Sequence, residues 1–148
     1  MIIEKATKND LQEILDLQYL AYQSEAELLN DFSIPPLKQT LDEVIEEYEK
    51  GIILKVNFEN MIIASVRGYV ENETLYIGKL IVHPDYRRKG IGKRILLNIE
   101  SHLDHARCEL FTSTKSVNNI KLYEQVGYSV FDEKQVSESL AFIYLEKQ

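Results

Sequence analysis

Cys108 is the chain's one cysteine, so no internal disulfide can form. Its setting in "RCELFTS" points to a small buried strand residue rather than a nucleophile. Long apolar runs are missing too: stretches such as Met61 to Val66 fall far short of the ~20 residues that cross a bilayer, which argues against a membrane partner. "MIIEKATKND" is too charged for a secretory leader, so a reducing, cytoplasmic setting is expected. Three histidines are present, and His102 and His105, three apart on one helical pattern, have no further ligand in view; no metal site is expected. Repeats, low-complexity tracts and blocks of like charge are absent, and a net charge of −7 speaks against a general nucleic-acid binder, which needs a broad basic face. A chain of 148 residues without such interruptions is expected to form one domain over residues 1–148.

What is present is a regular alternation of patterns. "MIIEKAT" reads as a strand, and "NDLQEILDLQYLAYQSEA" as a helix with Leu11, Ile14, Leu15 and Tyr22 on one face and Asn9 or Asp10 as N-cap. "NDFSIPPLKQ" reads as a loop around Pro35-Pro36. Thr40 and Glu43 form a capping box for a helix whose Leu41, Val44, Ile45 and Tyr48 share a face and which Gly51 can end. "IILKVNF", "MIIASVRGYV" and "TLYIGKLIV" are β-branched and aromatic runs with short connections, an antiparallel meander. A helical pattern through Ile91, Ile95, Leu96, Ile99 and Leu103 and a strand in "RCELFTST" complete a parallel crossover. "SVNNIKLYEQVGY" reads as a short helix capped by Ser116 and closed by Gly127, followed by strands in "YSVFDE" and "LAFIYLEK". The expected fold class is α/β: a mixed, mostly antiparallel sheet of about seven strands with helices on both faces.

Against the acidic background, Arg87 to Arg94 ("RRKGIGKR") holds five cationic side chains and two glycines. It lies where a strand turns into a helix, a place where unpaired N–H groups and the helix dipole attract anions, and where glycines let the backbone close around them. A Walker A loop is ruled out, because Arg87 stands at its first glycine and Arg94 at its Ser/Thr. A dinucleotide fingerprint fails because Ile95 replaces its third glycine.

R-x-x-G-x-G, here Arg87, Gly90 and Gly92, does fit, and resembles the acyl-CoA pyrophosphate loop of the GNAT superfamily of N-acetyltransferases. "LYEQVGY" near the C-terminal end is similar to that superfamily's L-Y-E-x-x-G-[FY] segment, and the element order agrees over nearly the whole chain. The resemblance implies acetyl-CoA as co-substrate, with strands four and five parallel and splayed, and Gly78 a plausible place for the bend. It implies that Leu80, Ile81 and Val82 meet the pantetheine arm. The N–H groups from Arg88 through Lys89, Gly90, Ile91 and Gly92 to Lys93 would hold the pyrophosphate, with Arg87, Arg88, Lys89 and Lys93 supplying charge. Tyr123 would be the general acid that protonates the departing thiolate, and a homodimer is implied as well.

Two positions depart from the pattern. Ser116 stands where many relatives have asparagine, so the CoA contact there falls to Ser116, Asn118 or Asn119, or is missing. Tyr76 stands where many relatives carry a glutamate base. An alkylamine of pKa about 10.4 is only about one part in two thousand neutral at pH 7, so some group has to accept its proton. Tyr76 through a water, Glu73, Glu25, Glu27 and Asp31 are the candidates. In this fold the acceptor enters across the first two helices, here past Tyr22, Glu25, Asp31 and Phe32 and a helix rich in Asp42, Glu43, Glu46, Glu47 and Glu49. Such a lining favours a cationic amine of a small molecule or peptide, unless it is merely a solvated face. Two functions remain open at this point: acetyl transfer to a primary amine by direct attack in a ternary complex, or a catalytically inactive acyl-CoA-binding sensor or interaction module.

Overall fold

The computed structural model describes all residues from Met1 to Gln148. In chain order it has β1 (Ile2–Lys5), a 3-10 turn (Lys8–Asp10), α1 (Leu11–Ala21), α2 (Gln23–Leu29), α3 (Pro35–Lys38), α4 (Leu41–Lys50), β2 (Ile52–Phe58), β3 (Met61–Glu71) and β4 (Thr74–Val82). A second 3-10 turn (Pro84–Tyr86) leads to α5 (Ile91–Ile99), β5 (Arg107–Ser113), α6 (Val117–Gln125), β6 (Ser129–Gln135) and β7 (Ala141–Lys147). The seven strands form one mixed sheet in the order β1-β2-β3-β4-β5-β7-β6. Every neighbouring pair is antiparallel except β4 and β5, which are parallel.

The meander closes through two-residue turns, Glu59-Asn60 and Asn72-Glu73, all four residues having positive φ, the mirror-image geometry that matches strand twist. Period-2 alternation sends side chains to both faces of the sheet. Ile52, Leu54 and Val56 pack with Ile91, Ile95, Leu96 and Ile99 of α5 and with Tyr123 and Val126 on one face. Ile53, Ile62 and Ile81 pack with Leu11, Ile14, Leu15 and Leu17 of α1 and Val44 of α4 on the other. Each such side chain stabilises the fold by roughly 1.5–3 kcal/mol. A third small cluster of Ala26, Leu29, Ile34 and Leu140 ties α2 to the approach of β7. No helix is long and apolar enough to cross a membrane.

Four local expectations are corrected. The first helix is interrupted at Tyr22 (φ −82°, ψ −2°); Asp10 stands at its N-cap position as expected, but its side chain makes no capping bond to it. Thr7 caps the 3-10 turn, donating its N–H to the Asp10 carboxylate at 2.8 Å. Pro35 and Pro36 open the one-turn α3 instead of sitting in a loop: at the first positions of a helix their missing N–H groups would have no partner anyway. Ser116 occupies the N-cap position of α6, but its hydroxyl bonds to Glu25 and not to the helix. The bend in β4 falls at Lys79 (φ 51°), beside Gly78 rather than on it. The capping box at the start of α4 is present, with the Thr40 N–H donating to Glu43 Oε1 at 3.0 Å and the Glu43 N–H donating to Thr40 Oγ1 at 3.3 Å.

Candidate active site

β4 and β5 pair only through Thr74, Leu75 and Tyr76 with Arg107, Cys108 and Glu109. On the other side of β4, the register with β3 shifts between Ser65 and Arg67, so that Lys79 and Leu80 stand opposite Val66 alone. This is a β-bulge, with Lys79 in the left-handed region; it bends the strand and increases its twist. Beyond Tyr76 the two parallel strands separate, and Ile77 to Val82 line a cavity of about 1370 Å³ instead of pairing with β5. A strand edge without a ladder partner presents its N–H and C=O groups to whatever lies alongside.

At one end the cavity reaches the glycine-rich turn. Gly90 has φ 80°, a conformation that a side chain would strain, and the first closing helical bond of α5 runs from the Arg94 N–H to the Gly90 carbonyl at 3.1 Å. The N–H groups ahead of it, at Ile91, Gly92 and Lys93, are those that a helix leaves for an anion. Arg88, Gly90, Ile91, Gly92 and Lys93 line the cavity, whereas Lys89 does not. Arg87 lines it too, but its guanidinium is turned onto the protein: it donates to the Ala21 carbonyl at 2.7 Å, to Ser24 Oγ at 3.0 Å and to the Val82 carbonyl at 3.3 Å. It therefore ties the turn to the junction of α1 and α2.

In the middle of the cavity stands Tyr123, 6% exposed, on α6. Burial, and then the nearby Glu25 carboxylate, push its phenol above the ordinary tyrosine range, so it stays protonated. Glu25 on α2 accepts from Ser116 Oγ at 2.8 Å; burial raises its pKa, and the Ser116 bond only partly offsets this. Tyr22, at the kink between α1 and α2, is pushed up by burial and then by Glu25 and Tyr123. Tyr76 lines the cavity with its ring stacked on Tyr69, centroids 5.2 Å apart. Ser116, Asn118 and Asn119 line it from the start of α6, Asn119 Nδ2 donating to Thr112 Oγ1 at 3.4 Å.

Other expected positions lie elsewhere. Asp31 is at the surface with its carboxylate turned to Ser33, and Phe32 is 54% exposed; neither lines the cavity. Glu27 is exposed, and Glu73 sits in the β3–β4 turn. Of the acids on α4, only Glu47 turns inward to line the cavity; Asp42, Glu43, Glu46 and Glu49 are exposed.

Glu47 belongs to a group of polar side chains that the reading of the sequence did not anticipate. Buried Arg67 of β3 donates to Glu47 Oε2, to Gln39 Oε1 at 2.9 Å and to Gln18 Oε1 at 2.6 Å. Lys79 Nζ lies 3.6 Å from Glu47 Oε1. Burial works against the Glu47 charge, but Arg67 and Lys79 hold its carboxyl below the usual range; burial lowers the Lys79 pKa, with Glu47 opposing. The available signal was a charge in the middle of the apolar run "IIASVRGYV".

The family model described as "Acetyltransferase (GNAT) family" matches residues 10–128. Among curated proteins, the UPF0157 protein YqkA of Bacillus subtilis (strain 168) is 29% identical over 131 residues, 87% of this chain. The match covers 37% of that protein, so the chain spans little more than a third of its relative's length. Among solved structures, the ribosomal-protein-S18-alanine N-acetyltransferase from Escherichia coli superposes with a TM-score of 0.82 at 16% identity, over 99% of this chain and 92% of that one. YncA, a putative acetyltransferase from Salmonella typhimurium with its cofactor acetyl-CoA, gives 0.77 at 15% identity over 100% and 93%. The PaiA N-acetyltransferase from Thermoplasma acidophilum, in complex with coenzyme A, gives 0.74 at 19% identity over 100% and 99%. With the splayed parallel pair, the open start of α5 and a family match over most of its length, the chain belongs to the GNAT family of acetyltransferases.

Proposed function

We propose that this chain moves the acetyl group of acetyl-CoA to a primary amine by direct attack within a ternary complex. The observation that carries the reading is the parting of β4 from β5 beside the open start of α5. It supplies a free strand edge for the amides of the pantetheine arm and backbone donors for the pyrophosphate in one continuous cavity. Leu80, Ile81 and Val82 take the first role and Arg88 to Lys93 the second, while Ser116, Asn118 and Asn119 flank the arm from α6. Arg87, held by Ala21, Ser24 and Val82, positions the loop more than it supplies charge.

The chemistry falls to Glu25 and Tyr123. Of the candidate bases, Glu25 and Tyr76 line the cavity while Asp31, Glu27 and Glu73 do not, and Glu25 is the carboxylate of the two. Glu25 takes the proton of the incoming ammonium, directly or through a water, and its raised pKa makes it a better proton acceptor than an exposed carboxylate. As the C–N bond forms and the C–S bond breaks, Tyr123 delivers its proton to the sulfur, and the second proton, shed by the new amide nitrogen, returns to the phenolate through water. Burial disfavours charge on the phenol, so the proton leaves only as negative charge develops on sulfur beside it. Tyr76 shapes the acceptor wall. The acceptor amine is cationic until Glu25 relieves it of its proton; of the acidic lining expected from the sequence, Glu25 and Glu47 remain, and Glu47 is engaged by Arg67 and Lys79.

Calorimetric titration with acetyl-CoA tests the shared cofactor claim. Thiol release with polyamines, amino acids, aminoglycosides and alanine-leading peptides tests transfer; the last belong in the panel because the Escherichia coli neighbour is named for a ribosomal-protein alanine. Tight binding with no turnover on any acceptor would overturn catalysis in favour of an acyl-CoA-binding module.

A further inference from the structure

The acceptor end of the cavity has two poles. At the transfer end the carboxylate is Glu25, beside Tyr123 and Ser116. At the far end the cavity is lined by Arg67 and Lys79, with Lys50 at its rim over the Tyr69 ring, 3.8 Å from the centroid. Against these cations stands one inward carboxylate, Glu47. Glu43, the other acid acting on Lys79, is exposed and engaged in its capping box, and Glu109 is paired with Arg107 at 2.9 Å. A single carboxylate therefore serves one buried and one half-buried cation, a balance that leaves positive charge facing the cavity.

The details of that group point the same way. Arg67 is 5% exposed; Gln18 and Gln39 fix its guanidinium, while its Nε has no partner in the protein. Lys79 reaches Glu47 only at 3.6 Å, a long contact for an ammonium with two of its donors still to place. Lys79 is presented there by the bulge itself, in a left-handed conformation that lysine adopts at a cost. Tyr22, Glu25, Tyr123, Arg67 and Lys79 all line the same cavity, so one small molecule bound there can meet both poles. The stacked pair of Tyr69 and Tyr76 lines the cavity next to Arg67 along the β3–β4 ladder.

Building on the proposed acetyl transfer, we propose that the acceptor is a small amine that also carries a free carboxylate, its ammonium directed to Glu25 and its carboxylate docked on Arg67 and Lys79, beside the Tyr69–Tyr76 pair. An amino acid or short amino carboxylic acid has this pattern. A polyamine or aminoglycoside would place cations against Arg67 and Lys79, and a peptide would bring an uncharged amide there.

The test uses matched acceptors: an amino acid, its carboxamide and the corresponding decarboxylated amine, with a polyamine and an alanine-leading peptide. In thiol-release assays kcat/KM for the free carboxylate is expected to exceed that for the carboxamide by about a hundredfold, because the site's buried charges stay unpaired with the neutral analogue. In Lys79→Met that ratio should shrink by about tenfold or more, chiefly through KM, and Lys79→Arg should restore part of it; unchanged acetyl-CoA affinity certifies the folded variants. Equal use of carboxylate and carboxamide, or a preference for polyamine or peptide, overturns the proposal while leaving acetyl transfer intact. If no acceptor turns over, calorimetry of the CoA-loaded protein with the same set decides: carboxylate-selective binding that Lys79→Met abolishes upholds the docking site without the reaction, and no selectivity overturns it.

Discussion

Glu25→Gln separates the chemistry of the site from its architecture. The substitution keeps the size of the side chain and an oxygen that can still accept from Ser116 Oγ, 2.8 Å away, so the link between α2 and the start of α6 survives. What it removes is the ability to take a proton. At pH 7 an alkylamine of pKa about 10.4 is neutral in about one molecule in two thousand, a handicap of roughly 4 to 5 kcal/mol, of which general-base help typically recovers 10²–10⁴-fold in rate. The variant should therefore lose about 10²–10⁴ in kcat/KM with a strongly basic acceptor and little with a weakly basic one. Its residual rate should climb about tenfold per pH unit toward the amine's own pKa, while the wild type levels off once Glu25 is ionised, at a pH displaced upward because burial raises that pKa. Stability should move differently. A carboxyl whose folded pKa lies above its unfolded value contributes stability in acid and loses it as pH rises through the folded value. Around neutral pH the glutamine relieves the cost of that buried charge, so the variant should melt no lower than the wild type, and any advantage should vanish below about pH 4. Stopped-flow thiol release across pH with two acceptors of different basicity, paired with melting curves, reads all of this. Equal losses for both acceptors, or a lowered melting temperature at neutral pH, would refute Glu25 as the base.

Three further outcomes are expected. Tyr123→Phe, at a buried position whose ring packs 6.2 Å from that of Tyr128, should cut kcat by about 10²-fold or more with acetyl-CoA affinity nearly unchanged in calorimetry; a large loss of affinity would make the hydroxyl a cofactor contact. A Cβ at Gly92 would meet Leu122 and Val82 at an ordinary 3.7 Å, so Gly92→Val should melt close to wild type and yet weaken acetyl-CoA by about tenfold or more, because its branches crowd the N–H groups of the first turn of α5. At Gly51 an added Cβ would lie 2.0 Å from the Gly68 carbonyl oxygen, so Gly51→Ala should cost about 1–3 kcal/mol or more, seen as a lower midpoint in urea.

The sequence displayed features whose causes are local. The capping box at Thr40, the meander with its short turns, and the amphipathic face through Ile91, Ile95 and Ile99 each depend on residues a few positions apart, and the structure contains them. What could not be read there depends on long-range contact. Ser116 was legible as a helix cap, but its hydroxyl is claimed by Glu25, ninety-one positions earlier, once α2 packs against α6. The acids of α4 look alike in a linear count; only the helix's placement on the sheet turns Glu47 toward Arg67 and leaves its neighbours in solvent. Lys79 gave no sign of its positive φ because glycine next door was the cheaper place to bend, and the bulge instead serves to aim a lysine.

The three residue pairs that join β4 to β5 have a mechanical consequence. Strands β1 to β4 form one plate and β5, β7 and β6 another, meeting along a seam at Thr74–Tyr76 and Arg107–Glu109. A small rotation about such a seam widens the far mouth without breaking any ladder bond within either plate. Acyl groups longer than acetyl then become a question of how far the two plates can pivot, and the bond from Ser116 to Glu25, with Leu140 seated among Ala26, Leu29 and Ile34, is the strap that limits the travel.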